Sequence, residues 1–523
     1  MINFFEKRKK FFFWPLFFLL LIFSFYINYY YANLGVQAQD TFFHYDSAYF
    51  ILNGKHPFKD YWNITGIFID YLQSFFFFLF GINFNSYIYH ASFINSVFAI
   101  ISFFFFLKIN LNFLISFLLS ISISILFYPG SGTPFVDYHA VGFSVISVFF
   151  FYLGLTKVKN LFFILSYVFL FLSFLCKQIP FFFIFFLYFF ILFLKFLKLK
   201  NNQIIFFLIS FIFLFFLFFL FFFLNGIPLE DFINQYIYYP FTIGGQRSVL
   251  LNLNKFTGLL GELKFIFLSL LILIIVFFKT NYAHNKNDTS NYTAFYLFIF
   301  SIFFFILYQS LTKNQVLIFF LIPVIIGVTL SHLKKNKYEK IYLIFFLLFL
   351  TFVTFKYHYR YNESRYFLDF KSKQFNRSKT LNANMLDLTL KNLRWLSPFE
   401  FYEKPYEEII ELRFVKDFIK NKSQSKRVII SDYLLLSTLT NTNTPSPLKF
   451  YDSISIPSKK NPFFNYFRDF FIEKLKKESV IFIYTTSPYY EQIVKDTFFD
   501  SDCIKLKKIS LHLSEFHVEN CLK

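Results

Sequence analysis

Long apolar runs recur along the first two-thirds of the chain, and short polar segments separate them. Runs of this kind cross roughly 30 Å of hydrocarbon as helices. The pattern predicts a polytopic α-helical membrane protein with about eleven transmembrane helices. The predicted spans are residues 11–31, 86–107, 111–128, 139–155, 160–176, 180–198, 204–224, 264–279, 293–311, 315–332 and 340–356.

The apolar stretch at residues 64–81 is predicted to lie flat at the membrane interface. It is short and contains Asp70 and Gln73. If it crossed the membrane, every later segment would change side, so the distribution of positive charge decides between the two topologies. With 64–81 at the interface and the N-terminus inside, the inner segments carry sixteen Lys and Arg and the outer segments seven. The outer loops are then residues 32–85, 129–138 and 225–263.

Acidic side chains gather on the predicted outer face of this membrane domain. Eight of its eleven acids fall there, namely Asp40, Asp46, Asp60, Asp70, Asp137, Glu230, Asp231 and Glu262. Short outer loops must carry some polar residues, so solvation alone is the alternative explanation. The concentration of acids in the first two outer regions favours chemistry at that face.

The composition changes at Tyr357. Residues 357–523 contain no further span and carry 27 Lys and Arg against 20 Asp and Glu. The segments "KRVIISDYLLLS" and "ESVIFIYTT" are typical of buried strands, and "PYEEIIELRFVKDFIKN" is typical of a helix. A soluble, extracytoplasmic α/β domain is therefore predicted after a membrane domain of residues 1–356.

Charge and cysteine content add two further expectations. The formal charge is +20, but no basic stretch is interleaved with a nucleic-acid fold, so no nucleic-acid partner is expected. Cys503 and Cys521 lie close together near the end of the chain. In an oxidising compartment this pair favours one disulfide, with two free thiols as the alternative.

The first outer loop carries the most informative motif. It reads "YDSAYFILNGKHPFKDYW" from Tyr45 to Trp62, and an apolar segment ending "FFFFLFG" follows. This order resembles the GT-C superfamily of membrane glycosyltransferases, in particular the bacterial branch of lipid A aminoarabinose transferases and protein O-mannosyltransferases. Phe58 stands where that family often has Tyr. The second outer loop, "PGSGTPFVDYHAVG", carries a further acid, as the family commonly does.

The resemblance implies a GT-C-like fold over roughly residues 10–355 and a transferase activity. A sugar would pass from a polyprenyl-phosphate donor to a lipid, glycan or protein acceptor, with inversion at the anomeric carbon. The reaction would take place at the outer face of the cytoplasmic membrane, with the C-terminal domain periplasmic or extracellular. The sugar and the acceptor stay open.

Such a transfer needs a carboxylate near the attacking hydroxyl. Asp46 matches the family's first-loop catalytic acid, three residues before Tyr49; the alternative is that Asp46 caps a helix. Asp137 is the second catalytic candidate, and with His139 it could form a second acid or a metal pair. Asp60 is expected to order the loop or to contact substrate.

The departing lipid phosphate needs cationic help. Lys177 and Gln178 at the end of a span, Arg247 beside two glycines and Lys313 are the candidates for this contact. Snorkelling of a lone lysine is the alternative for Lys177. No cofactor is firmly implied, although carboxylates would suit Mg²⁺ or Mn²⁺.

Three rival functions stay open. An O-antigen ligase or polymerase would use the same class of carrier. A transporter or flippase of lipid-linked glycan would show charged or broken helices near the midplane and two related halves. The third rival is a membrane anchor whose C-terminal domain is the active part. The sequence shows charges mainly at helix ends and no internal repeat.

Overall fold

The computed structural model describes residues 9–199, 202–248, 258, 260–284, 289–312, 318–333, 339–370, 374–422, 427–452, 454–475, 480–486 and 507–517. Each of the eleven predicted spans overlaps a helix. The helices of this part are Lys9–Ala32, Ala38–Thr41, Tyr45–Leu52, Phe68–Phe80, Phe84–Lys108, Phe113–Leu126, Val136–Lys157, Asn160–Cys176, Gln178–Leu199, Gln203–Leu224, Leu229–Phe232, Tyr239–Ser248, Lys264–His284, Thr289–Thr312, Leu321–Leu333 and Glu339–Tyr357.

Seven helices in the described ranges are long and apolar enough to cross a membrane. They cover Phe13–Ala32, Phe84–Lys108, Val136–Lys157, Gln178–Leu197, Gln203–Leu224, Ser290–Leu311 and Ile341–Leu368. Shorter apolar helices occupy Phe68–Phe80, Phe113–Leu126, Asn160–Cys176 and Ile318–Leu333. The chain is thus a helical membrane protein, and the count of eleven spans stays a prediction.

The stretch predicted at the interface forms a separate short helix. Helix Phe68–Phe80 has 13 residues, so it is about 20 Å long, less than the roughly 30 Å of a hydrocarbon core. It ends at Gly81, whose φ of 82° is a left-handed value that glycine adopts readily. Asn83 then caps the next helix by accepting the Ser86 N–H at 3.0 Å. The position of this helix relative to a membrane stays a prediction.

The C-terminal region forms a small sheet with a helix on each face. Strands β1 (Leu381–Asn382) and β2 (Arg394–Trp395) form a separate antiparallel pair. The main sheet has the order β3-β4-β6-β5; β3 and β4 are parallel and the other pairs antiparallel. These strands are β3 (Arg427–Ser431), β4 (Val480–Tyr484), β5 (Lys507–Lys508) and β6 (Leu513–His517), and the helices are Pro405–Asn421, Leu436–Leu439 and Phe464–Leu475.

The alternating directions of the β3 side chains explain why the sheet has an apolar layer on each face. Ile429 of β3 packs with Leu412 of helix Pro405–Asn421 on one face. Val428 and Ile430 pack with Phe467 of helix Phe464–Leu475 on the other face. Successive side chains of a strand point to opposite faces, so one buried strand serves two apolar layers. The predicted α/β arrangement of this region is confirmed.

The loop between helices Lys9–Ala32 and Phe84–Lys108, which is predicted to be the first outer loop, packs directly on the C-terminal domain. The N–H of Trp62 donates to the carbonyl of Pro447 at 2.7 Å, and the N–H of Lys449 donates to the carbonyl of Trp62 at 3.0 Å. The Trp62 ring is fully buried, with its centroid 4.9 Å from that of Phe467. The "KDYW" motif therefore ends inside the core of the C-terminal domain.

Cys503 and Cys521 lie outside the described residues, and their disulfide stays a prediction. We expect protein taken from its native membrane to show no thiol reactivity at these two positions until it is reduced, because the predicted outer location would place them in an oxidising compartment. A thiol-directed mass-shift assay with and without reductant checks this. Two reactive thiols before reduction would contradict the pairing.

Candidate active site

Two other segments of the helical part pack against this first loop. The N–H of Gly66 donates to the carbonyl of Cys176 at 3.0 Å, and a Cβ at Gly66 would lie 2.0 Å from the Leu175 carbonyl oxygen. Only glycine fits such a close approach. Gln235 also joins the first loop, because its amide donates to the Phe58 carbonyl and accepts the Asn63 N–H, both at 3.0 Å. The turn near residue 177 and the segment after residue 225 are thereby fixed beside the first loop.

Asp46 lies in the first turn of helix Tyr45–Leu52 and is buried. Its carboxylate does not cap this helix. Oδ1 accepts the N–H of Thr438 at 2.9 Å and its hydroxyl at 2.6 Å, and Oδ2 accepts the N–H of Ser437 at 3.1 Å. Burial raises the pKa of Asp46 to about 6, and the hydrogen bonds from Thr438 and Ser437 limit this rise.

A small cavity opens beside Asp46, between the first loop and the C-terminal domain. Its volume is about 30 Å³, enough for about two water molecules. The polar and charged side chains in its wall include Asp46, Ser47, Ser431, Tyr433, Ser437, Ser446 and Lys449. A hydroxyl group fits beside Asp46 as the walls stand, whereas a sugar ring requires the walls to move apart.

A buried charged cluster lies next to this cavity. Lys449 donates to both carboxylate oxygens of Asp70, at 2.8 and 2.7 Å. Asp70 also accepts the Ser47 hydroxyl at 2.6 Å and lies 2.6 Å from Nδ1 of His44. Asp70 and His44 have no exposed surface, and Lys449 is 9% exposed. The cluster therefore joins the first loop, helix Phe68–Phe80 and the C-terminal domain through a desolvated ion pair.

The cluster fixes the charge state of His44. Burial lowers its pKa to about 4, and the Lys449 ammonium adds to this effect. His44 is then neutral at pH 7 and donates from Nδ1 to Asp70, while its Nε2 is buried with no hydrogen-bond partner among the described residues. Burial also lowers the pKa of Lys449, and the Asp70 carboxylate opposes that shift.

Sequence reasoning did not select His44, Asp70 or Lys449 as site residues. One signal was present, because Asp70 interrupts an apolar run and a buried carboxylate requires a partner. Lys449 carries no such signal among 51 Lys and Arg residues.

Asp137 and Lys177 form a second charged site. Lys177 Nζ donates to Asp137 Oδ1 at 2.7 Å, and the Tyr308 hydroxyl donates to the same oxygen. Lys177 Nζ also lies 5.5 Å from the Tyr308 ring centroid. Asp137 is buried and the Lys177 side chain is 20% exposed. The structure thus brings together two residues that the sequence proposed separately.

His139 points away from Asp137 to a different set of partners. Its Nε2 lies 3.0 Å from Nε2 of His90, and its Nδ1 lies 2.6 Å from the Tyr128 hydroxyl. The hydrogen-bond chain continues from His90 to Gln73, with 3.0 Å between His90 Nδ1 and Gln73 Oε1. Residues two apart on a helix face different directions, so Asp137 and His139 are not brought together as a metal pair.

The other proposed residues have local partners. Asp60 accepts the N–H of His56 at 2.8 Å and so orders the "GKHPFKD" turn. Tyr49 donates to the Asn443 side chain of the C-terminal domain. Gln178 donates to the carbonyls of Ile64 and Tyr236. Arg247 lies in helix Tyr239–Ser248, but its side chain is outside the described part, as is the whole of Lys313.

The described residues do not form a built metal site. Within these ranges no group of three or more His, Cys, Asp and Glu side chains comes together. The carboxylates of Asp46, Asp70 and Asp137 already accept N–H or O–H donors. No step is therefore assigned to Mg²⁺ or Mn²⁺.

A scan of the sequence against models of known protein families gives no match. A search of the curated proteins gives no significant match either.

Proposed function

We propose that the protein is a membrane glycosyltransferase that moves a sugar from a polyprenyl-phosphate donor to a lipid, glycan or protein acceptor. The observation that carries the proposal is Asp46, a carboxylate in the GT-C-like first loop that is buried beside a cavity. Burial raises its pKa to about 6. A carboxylate with that pKa is mostly ionised at neutral pH and is also a stronger base than a solvated one.

The reaction follows from this position. Asp46 accepts the proton of the acceptor hydroxyl while the hydroxyl oxygen attacks the anomeric carbon. The bond between that carbon and the phosphate oxygen breaks, and polyprenyl phosphate leaves with the electron pair. Attack opposite the leaving group inverts the anomeric carbon. Asp46 lines the small cavity, so its carboxylate lies within reach of a hydroxyl placed there.

The leaving phosphate needs a cation at the same face. Lys177 supports this role, because Asp137 binds its ammonium and the Tyr308 ring lies 5.5 Å away, while part of its side chain stays exposed. An ammonium held in this way loses less conformational entropy on binding an anion than a freely moving surface lysine does. Arg247 and Lys313 remain proposed phosphate contacts from the sequence.

A second candidate function is transport of a lipid-linked glycan. The observation that favours it is the buried chain of Gln73, His90, His139 and Tyr128 among the apolar helices. Ionisable residues at such depth often mark transport or proton pathways. A consistent set of neutral tautomers also satisfies the chain: Tyr128 donates to His139, His139 to His90, and His90 to the Gln73 amide oxygen. A structural role therefore explains it equally well.

Proteoliposomes distinguish the two functions. Radiolabelled polyprenyl-phosphate hexose and pentose are supplied with a glycolipid, a soluble glycan or a Ser/Thr-containing peptide as acceptor. The proposal predicts that label leaves the carrier and appears on one of the acceptors. Movement of intact donor between leaflets, with no loss of sugar from the carrier, would instead establish transport.

The proposed reaction requires the site to face outward from the cytoplasmic membrane. In a variant with all three cysteines replaced by serine, we introduce Lys159→Cys at an exposed turn between helices and Asn441→Cys on the C-terminal domain. An impermeant maleimide should label Cys at 441 in intact cells and Cys at 159 only after permeabilisation, because positive charge stays inside. Labelling of both positions from one side would contradict the topology.

A further inference from the structure

The C-terminal domain covers the carboxylate of Asp46. Three donors of this domain bind it, namely the N–H groups of Ser437 and Thr438 and the hydroxyl of Thr438. The main chain is held at the same place, because the N–H of Asp46 donates to the carbonyl of Leu434 at 3.1 Å. Both the side chain and the backbone of Asp46 are therefore positioned by residues far later in the sequence.

We propose that the C-terminal domain is part of the transferase site and that Thr438 is a positioning residue for the Asp46 carboxylate. This inference rests on the proposed function and deepens it, because it gives the C-terminal domain a part in the same proton transfer. Thr438 touches neither sugar nor phosphate in this scheme. It acts through Asp46, by orienting the carboxylate and by stabilising its ionised form.

The hydrogen-bond inventory of the carboxylate supports a positioning role. An ionised carboxylate has about four lone-pair sites. Thr438 occupies two of them on Oδ1 and Ser437 occupies one on Oδ2. The Ser437 side chain adds a further hydrogen bond that favours the ionised form. The carboxyl plane is thereby fixed at the wall of the adjoining cavity. The carboxylate of Asp46 would thus be oriented before the acceptor hydroxyl binds.

The neighbouring ion pair keeps the covering segment in place. Lys449 follows the Thr438 segment in the chain and is bound to both oxygens of Asp70. It is also joined to the first loop through the main chain of Trp62. The segment that covers Asp46 is thus fixed on both sides, by Leu434 before it and by Lys449 after it.

The titratable neighbours of Asp46 define how the pH test is interpreted. Lys449 shares the wall of the cavity with Asp46, and Asp70 and His44 adjoin it through Ser47. Tyr49 on the same helix and Tyr61, Tyr433 and Tyr451 in the cavity wall have pKa values that burial raises above their usual range. Burial raises the pKa of Asp432, next to the wall residues Ser431 and Tyr433, to about 6 as well. The acid limb is therefore assigned to Asp46 by its shift in a Thr438 variant and not by its position alone.

Thr438→Val provides the test, because it removes the hydroxyl and keeps the shape. The hydroxyl stabilises the ionised carboxylate, so its loss raises the pKa of Asp46 further. The acid limb of kcat/KM, measured with radiolabelled polyprenyl-phosphate hexose or pentose in nanodiscs, should move up by about one pH unit. The plateau at higher pH should change little. Thr438→Ser restores the donor and should restore the wild-type limb.

Thr440→Val is the matched control. Thr440 is also buried, but its hydroxyl donates to the Leu436 carbonyl at 2.8 Å and does not contact Asp46. The acid limb of kcat/KM for Thr440→Val should stay at the same pH as in the wild type. If the wild type is active and Thr438→Val shows the same acid limb as the wild type, the inference about Thr438 is overturned but the proposed function is not. Failure of Thr438→Val and Thr438→Ala to fold, when Thr440→Val folds, also overturns it. A wild type that uses neither donor overturns the proposed function as well.

Discussion

Asp46→Asn will lower sugar transfer by about 10²–10⁴-fold at saturating donor, the usual loss when a general base is removed. The amide keeps the size of the carboxylate but accepts a proton poorly. Its oxygen can still accept the Thr438 donors, which reach Oδ1 at 2.9 and 2.6 Å in the wild type. Donor binding and the folded structure should therefore change much less than the rate. The measurement is transfer of label per folded protein in nanodiscs, with donor binding measured in parallel.

Asp387→Asn is the matched control for this result. Asp387 accepts the N–H and the hydroxyl of Thr389 at 3.0 and 2.8 Å, the donor types that Asp46 receives from Thr438. It differs from Asp46 in also pairing with Lys416 at 3.2 Å. It does not line the cavity beside Asp46. Transfer should persist near the wild-type rate in this variant. A folded Asp46→Asn protein that transfers at the wild-type rate would remove Asp46 from the mechanism and direct attention to Asp137.

Asp70→Asn will destabilise the docking of the C-terminal domain by about 3–5 kcal/mol, because it leaves the Lys449 ammonium buried without its counter-charge. The double variant Asp70→Asn with Lys449→Met removes both charges and should recover most of the loss. Thermal unfolding of the purified protein, together with the rate of proteolytic cleavage within residues 374–452, measures the effect. The single variant should unfold earlier and be cleaved faster than the double variant.

The exposed pair of Arg413 and Asp417 serves as the control. Their side chains are 65% and 56% exposed and 4.0 Å apart, and such pairs contribute little to stability. Asp417→Asn should leave both readouts unchanged. Equal stability of the wild type, Asp70→Asn and the double variant would show that the ion pair does not hold the C-terminal domain in place.

The helices of the membrane domain follow from local sequence. Lipid-length apolar runs have few alternatives to helix, because backbone polar groups must pair within the segment. Gly81 marks a helix end for an equally local reason, since its left-handed φ suits glycine. Strands β3 and β4 were also predictable, because short apolar runs bounded by polar residues match their length.

The partners of Asp46 were not predictable in the same way. Asp46 and Thr438 are 392 positions apart, and Asp70 and Lys449 are 379 apart. No periodicity links such distant residues. The alternative interpretation of Asp46 as a helix cap considered its own helix alone, whereas the C-terminal domain supplies its partners. The contact between Trp62 and Phe467 is another contact between distant residues that no local pattern predicts.

The pair of Asp137 and Lys177 was predictable in part: both residues were selected from the sequence, but their contact was not predicted. Asp137 was selected because the second loop resembles that of the GT-C family, and Lys177 because positive charge is scarce on the predicted outer face. Their contact at 2.7 Å depends on the packing of helix Val136–Lys157 against Asn160–Cys176. Adjacent helices joined by a short turn are expected to pack together, but the turn alone does not fix which side chains meet.

The most direct test of the central claim is the release of polyprenyl phosphate. Purified protein in nanodiscs is incubated with radiolabelled polyprenyl-phosphate hexose or pentose, and the lipid products are identified by mass spectrometry. We predict that polyprenyl phosphate accumulates with time for the wild type and that Asp46→Asn slows this release by about 10²–10⁴-fold. Donors that stay intact with the folded wild type, or that release polyprenyl phosphate equally fast with Asp46→Asn, would contradict the account.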